Sequence, residues 1–406
     1  MEQVNPRAQI GADRKLTPVD FHVGLLMGED DLKHMLRYLD ENRGEDLLLV
    51  TDNPWSIIWS GSVHKIGNRP LAIEELKALL DKITQNQTAS MSLLRGGDLD
   101  FIYTTRGTER GARPTRFRCN ATRILGAYGG FGMAITIRKT NDVVPTMKEL
   151  GVPAAIQENC MPSSGIVLVV GPTGSGKSTL LDGMMHAQAT RPQGQHIIVY
   201  GGPIETDLNV IPDRTAIICQ TDIGPTAYGG MLESWEAATR NMLRRHPHVL
   251  LYTEARDKET IQGLVHGSKT GHVIYSTTHT NSVHMAITRL ADEFSGATRT
   301  QMITGLIENM RLVVHQRLLP TPSGVGRTAI RSWFVFDADI RKELMRSDFD
   351  KLAYTILRMV NAAKTDLLTD AEAKFEQGLI CPLAMDALRR ELEGELEEEA
   401  EDVHQA

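Results

Sequence analysis

The sequence predicts an α/β protein: a larger domain built on a largely parallel sheet, preceded by a smaller α+β domain. Three observations carry this. The run Ile166-Val-Leu-Val-Val170, a buried strand by composition, passes directly into Gly171-Pro-Thr-Gly-Ser-Gly-Lys-Ser-Thr179, and Leu180, Leu181, Met184 and Met185 then keep helical spacing. Downstream, strand-like and helical stretches alternate, as they do in sheets covered by helices on both faces. At 406 residues the chain also exceeds the size at which single cores stop growing.

In chain order, residues 1–20 are polar and aperiodic and read as an arm. From Asp30 to Glu41, Leu32, Met35, Leu36 and Leu39 make an amphipathic helix that Gly44 ends. Asp46–Val50 and Trp55–Ser60 read as strands joined by Asp52-Asn53-Pro54, and a helix follows over Ile73–Ile83. Further strands are predicted at 99–104, 115–120 and 133–138, completing a domain over 21–140. A proline-containing linker spans 141–146, because the residue before proline is disfavoured in helix. The second domain, 147–346, opens with a helix over Met147–Ile156. Its strands are the one before the glycine loop, Ile197–Tyr200, Thr215–Cys219, Val249–Tyr252 and Val273–Ser276. C-terminal helices fill 347–390 and an acidic tail 391–406.

The glycine loop satisfies every position of G-x-x-x-x-G-K-[ST] in the strand-to-helix context that the chemistry needs. In the loop Gly171-Pro172-Thr173-Gly174-Ser175-Gly176, the glycines at 171, 174 and 176 let successive amide N–H groups turn towards a phosphate at a helix N-terminus. Lys177 would reach the β- and γ-phosphates, and the Ser178 hydroxyl, followed by Thr179, would hold Mg²⁺. These features predict ATP and Mg²⁺ as cofactors. Phosphoryl transfer also needs carboxylates to orient water and support the cation. Glu254, just past strand 249–252, fits a Mg²⁺ ligand acting through water, and Glu205 stands at the same edge after strand 197–200. His272 begins a strand and His279 follows its end. His279 suits either a γ-phosphate sensor or a histidine satisfied by backbone, while His266 and His284 read as surface helix positions. Arg116, Arg118, Arg123, Arg138, Arg240, Arg244 and Arg245 are candidates for a phosphate-facing arginine, and spacing does not choose among them.

Composition narrows the function classes. The net charge of −7 is more than accounted for by Glu391–Asp402, with eight acidic residues and no basic one, which leaves the rest of the chain near neutral; such a block is the pattern of a solvated helix or tail. No basic stripe with interleaved aromatics argues for direct nucleic-acid binding. No apolar run reaches spanning length and the N-terminus does not read as a signal peptide, so a cytoplasmic protein that meets membranes only through partners is expected. Cys119, Cys160, Cys219 and Cys381 lie too far apart to begin a zinc site and read as free thiols.

With these residues in view, the chain resembles the type II/IV secretion traffic ATPase superfamily. The likeness rests on the glycine loop, Pro203-Ile-Glu205, Glu254-Ala-Arg-Asp257 with Glu259-Thr260, Thr270-Gly-His272 through Thr278-His279-Thr280, and Arg116-Phe-Arg-Cys-Asn120. Within it, the chain is most similar to the PilT-like and DotB-like branch, especially the TraJ-like ATPases of conjugative plasmids. The resemblance implies a RecA-like ATPase domain behind a PAS-like N-terminal domain, a homo-hexamer with ATP near the seam between neighbouring subunits, and inner-membrane secretion-complex proteins as partners. It implies a water-activating Glu205, a Walker B Glu254, a histidine box of His272 and His279, and nucleotide contacts from Arg118 and Arg138. Hydrolysis would power a type IV secretion or conjugation apparatus; a pilus retraction motor and an ATP-gated assembly platform are the alternatives. Gly201-Gly202 replaces the family's usual Glu-Asp and Thr253 its usual glycine, which predicts slow turnover.

Overall fold

The computed structural model describes residues 16–405 apart from 25, 60, 106–114, 127–128, 141–142, 225–229 and 325. Two compact units emerge. One holds the chain to Asp142 together with Gly201–Asp207 and Thr221–Ser234; the other holds Val143–Tyr200, Leu208–Gln220 and Trp235 onward.

The first unit contains α1 (Glu29–Glu41), β1 (Asp46–Val50), β2 (Ser56–Trp59), β3 (Ser62–Lys65), α2 (Ile73–Ile83), α3 (Ala89–Leu94), β4 (Asp98–Thr105), β5 (Thr115–Leu125) and β6 (Phe131–Lys139). Its six strands run in the order β3-β2-β1-β6-β5-β4, and the pairs are antiparallel. Phe117, Cys119 and Ala121 alternate with half-buried neighbours along β5, the period-two pattern of a sheet with one covered face. The apolar sides of α1 and α2 join this core through Leu32, Met35, Leu36, Leu76, Leu79 and Leu80. The first 15 residues of the predicted arm lie outside the described residues. The remainder is no arm: Leu16 and Val19 pack on the core, and Tyr38 donates to the Thr17 carbonyl at 2.8 Å. Glu75 accepts from the Met27 and Ala72 amides and pairs with Arg69, whose guanidinium holds the carboxyl down to about 2.

The second unit contains α4 (Ala154–Asn159), β7 (Gly165–Val170), α5 (Lys177–Ala189), β8 (His196–Gly201), β9 (Ile217–Asp222), α6 (Trp235–Met242), β10 (Val249–Tyr252), α7 (Lys258–Lys269), β11 (Val273–Thr278), α8 (Ala286–Ala291), α9 (Gly296–Asn309), β12 (Met310–Pro320), β13 (Arg327–Val335) and α10 (Ala338–Arg346), then α11 (Leu352–Ala362), α12 (Leu367–Glu376) and α13 (Pro382–Gln405). The seven-stranded sheet has the order β13-β12-β7-β11-β10-β8-β9, with β12, β7, β11, β10 and β8 successively parallel and β13 antiparallel to β12. All six residues of β7 are buried, as a central parallel strand requires. The helix expected over Met147–Ile156 is replaced by a turn and the short α4, because Pro153 sets the helix start at Ala154. The acidic tail from Glu391 continues α13, and its first carboxylate makes a bidentate pair with Arg317 at 3.0 and 2.9 Å.

Candidate active site

In the second unit, three parallel strands deliver the predicted chemistry to one edge. Strand register aligns Val170 with Thr278 and Tyr252 with Ser276. The segments after β7, β10 and β11 therefore leave the sheet at its carboxyl end, where α/β proteins gather ligand groups. Gly171 to Gly176 form the turn, Lys177 opens α5 with Ser178 and Thr179 in its first turn, and Pro172, Thr173, Gly174 and Ser178 are exposed. Gly171 is required twice over. Its φ is 147°, and a Cβ there would stand 2.4 Å from the Gln316 carbonyl on β12.

The loop is braced from behind by residues that the sequence reading passed over. Gln316 Nε2 donates to the Ser175 carbonyl at 2.7 Å, and Gln316 Oε1 accepts from Arg331 Nε at 2.8 Å. Arg331, 1% exposed, spends its other donors on the carbonyls of Leu150 and Gly151, and burial pulls its guanidinium down to about 10. The Ser175 hydroxyl is buried and has no hydrogen-bond partner among the described residues. An orphaned hydroxyl inside a turn of converging amides fits an oxyanion.

Lys177 is 7% exposed and donates to the carbonyls of Gly171 at 2.7 Å and Pro172 at 3.0 Å. Its third direction meets His279 Nδ1 at 3.4 Å, and His279 Nε2 lies 3.3 Å from Glu254 Oε1. The tautomer that serves both contacts carries its proton on Nε2, accepting from the ammonium and donating to the carboxylate. Burial lowers the Lys177 ammonium and Glu254 opposes that shift. Lysine, histidine and carboxylate thus form one polar chain beneath the loop.

His272 does not join it. It sits at the opposite end of β11, where its carbonyl accepts from the Gly165 amide and its Nδ1 lies 2.9 Å from Thr270 Oγ1 and 3.2 Å from the Gly267 carbonyl. A strand of six residues separates it from His279, so within this chain His272 has no contact with the Lys177–His279–Glu254 group among the described residues. His284 is also not a surface helix residue. It lies in a turn before α8, half-buried, with burial pushing its imidazole down to about 4.

The first unit carries the remaining candidates. Arg118 Nη1 binds Glu205 Oε1 at 2.5 Å, with both side chains nearly half exposed. Arg138, opposite Arg118 in register, is instead committed to Asp46 through two bonds of 2.6 and 2.7 Å. Asp222, which sequence reasoning missed, accepts from the Ile204 amide at 2.6 Å and so fixes the backbone that presents Glu205. Burial raises its carboxyl. Gly202 explains part of the departure from the usual Glu-Asp: a Cβ there would meet the Ile223 carbonyl at 2.8 Å.

Comparison with known proteins now decides the family. The type II/IV secretion system protein family matches residues 131–374. The chain belongs to that family. The X-ray structure of the Legionella pneumophila ATPase DotB is similar over 93% of this chain and 99% of that one, with a TM-score of 0.81 and 29% identity. The crystal structure of the pilus retraction motor PilT with bound ADP is similar over 87% and 95%, with a TM-score of 0.70 and 26% identity. A twitching motility protein of Neisseria gonorrhoeae is 30% identical over 343 residues, 82% of this chain and 86% of that protein. The α/β fold is that of DotB and PilT, and this is a secretion or pilus traffic ATPase of their type. Among the described residues no helix is long and apolar enough to cross a membrane.

Proposed function

We propose that this protein is a Mg²⁺-dependent ATP hydrolase that works as a homo-hexamer and powers a type IV secretion or conjugation apparatus from the cytoplasmic side of the inner membrane. The observation that carries the hydrolytic reading is the Lys177–His279–Glu254 chain beneath a phosphate loop whose own Ser175 hydroxyl has no hydrogen-bond partner among the described residues. The extent of the likeness to DotB favours secretion over pilus retraction. The 30% identity to a twitching motility protein keeps the retraction motor as the second reading.

In this account Lys177 exchanges the Gly171 and Pro172 carbonyls for phosphate oxygens, and the N-terminus of α5 supports the same charge. His279, held by Glu254, reports on the γ-phosphate through the proton it shares with that carboxylate. Glu205 orients the attacking water as general base once Arg118 releases it. Among the described residues no group of three His, Cys, Asp or Glu side chains forms a metal cage. The exposed Ser178 hydroxyl and the Glu254 carboxylate suit a cation that takes most of its ligands from phosphate and water. Mg²⁺ would neutralise charge on the transferring phosphoryl group.

The test is steady-state ATP turnover with Mg²⁺, with mass measured on the same samples. A hexamer that turns over, and a Glu254→Gln variant that assembles and binds ATP but loses at least a hundredfold in kcat, support the motor. Assembly with no turnover above that variant supports the ATP-gated platform prompted by Gly201-Gly202.

A further inference from the structure

Strand β12 has two working faces. Gln316 projects to one, where it holds the phosphate loop through Ser175 and Arg331. Its neighbours His315 and Arg317 project to the other. There they line a cavity of about 400 Å³, closed by α11, the start of α12, the middle of α13 and the loop that follows His279. Every lining residue belongs to the second unit, and Pro172 of the phosphate loop is among them.

The cavity is of a size that holds a small organic molecule. His315 is 2% exposed, and its Nε2 has no hydrogen-bond partner among the described residues; Nδ1 has only the Ser332 hydroxyl at 3.5 Å. A buried nitrogen left unmet is costly and calls for a partner. Arg317 is neutralised by Glu391, and Asp366 is engaged as the N-cap of α12. Among the described residues that line the cavity, Arg317 therefore has its charge answered by Glu391 and does not single out an anionic ligand. Val360, Leu367 and Leu392 supply apolar wall.

We propose that this cavity binds an uncharged small molecule with an apolar body and one amide- or hydroxyl-type group for His315 Nε2, and that its occupancy is coupled through β12 to nucleotide binding at the phosphate loop. A ligand that moves His315 or Arg317 moves Gln316 between them, and with it the Ser175 carbonyl. Linkage makes the coupling reciprocal, so nucleotide must change the ligand's affinity by the same factor. This inference rests on the nucleotide-binding part of the proposed function and not on turnover; benzamide binding and ADP binding are read separately, so failure of either is distinguishable.

Benzamide, an uncharged ring bearing one amide, is the probe. Its binding to the full chain is followed by saturation-transfer NMR, and ADP affinity is measured with and without it. The expected result is saturable binding with a Kd of millimolar order for so small a ligand, a tenfold or greater loss of affinity in His315→Phe, and no binding to Val360→Trp, whose indole fills the cavity. A cooperative urea transition with the parent's midpoint shows that Val360→Trp is folded. Saturating benzamide is expected to change the parent's ADP affinity at least threefold. Absence of saturable binding, equal binding by Val360→Trp, or binding that leaves ADP affinity unchanged overturns the proposal.

Discussion

The phosphate loop and the Glu205 segment handle charge in opposite ways. Around the loop, Gln316 and Arg331 are almost wholly buried, and Arg331 spends its side-chain donors on three acceptors from two parts of the chain. Around Glu205, the partner is one arginine, and both side chains are nearly half exposed. A buried, cross-braced network is costly to disturb, whereas an exposed ion pair contributes at most about 1 kcal/mol and exchanges partners readily. The contrast separates a buried, cross-braced scaffold from a carboxylate restrained by one half-exposed ion pair.

Breaking the scaffold gives the largest expected effect. Arg331→Met leaves Gln316 Oε1 and the Leu150 and Gly151 carbonyls without their donor. Urea unfolding is expected to show a loss of about 3–5 kcal/mol, with ADP affinity falling alongside. A loss below about 1 kcal/mol would show that the brace is not structural.

Acid should attack the same unit next. His284 and His315 have folded values of about 4 and 3, against 6.5 for an ordinary imidazole. Burial is the first cause in both, and for His315 the charges of Arg317, His284 and Lys177 add to it. The unfolded chain thus binds more protons between these values. Stability is fully present above pH 6.5 and declines as pH falls towards 4 and then 3, by about 2 kcal/mol per histidine near pH 5. Denaturation midpoints of the His284→Asn/His315→Asn variant should fall less steeply between pH 6.5 and 5 than those of the parent; parallel slopes would contradict the assignment.

Restoring an acid beside Glu205 sharpens the comparison from the other side. Gly202→Asp drives a Cβ to 2.8 Å from the Ile223 carbonyl and is expected to cost about 1–3 kcal/mol of stability. Turnover is not expected to rise, since the backbone must shift at the segment that positions Glu205. A faster enzyme of unchanged stability would show that Gly202 is only a lost acid. The smallest change in stability belongs to Arg118→Ala, below about 1 kcal/mol, and turnover is the property it should alter.

Much of the scaffold was legible because its signals are local. Strand β7, the glycine loop and the start of α5 are contiguous in sequence, and helix α2 has the predicted limits Ile73 and Ile83. Glu254 and His279 were found because both follow apolar strands in a parallel sheet, whose carboxyl ends share one edge. That rule also separates His272 from them, since a residue that begins a strand lies at the far edge. Gln316 and Arg331 could not be read, because their roles come from pairings 141 residues away and more. Asp222 likewise matters only through the Ile204 amide. The β12–β13 pair escaped as well, because Met310–Pro320 mixes apolar residues with His315, Gln316 and Arg317 and lacks a clean period.

The most direct test of the division between scaffold and released carboxylate is Glu205→Gln, with ATP affinity and steady-state turnover measured on the same preparation. The prediction is an ATP Kd within twofold of the parent and a kcat reduced at least a hundredfold. A variant that keeps its turnover, or loses turnover only in proportion to lost ATP affinity, would contradict the assignment of Glu205 as the carboxylate that acts on water.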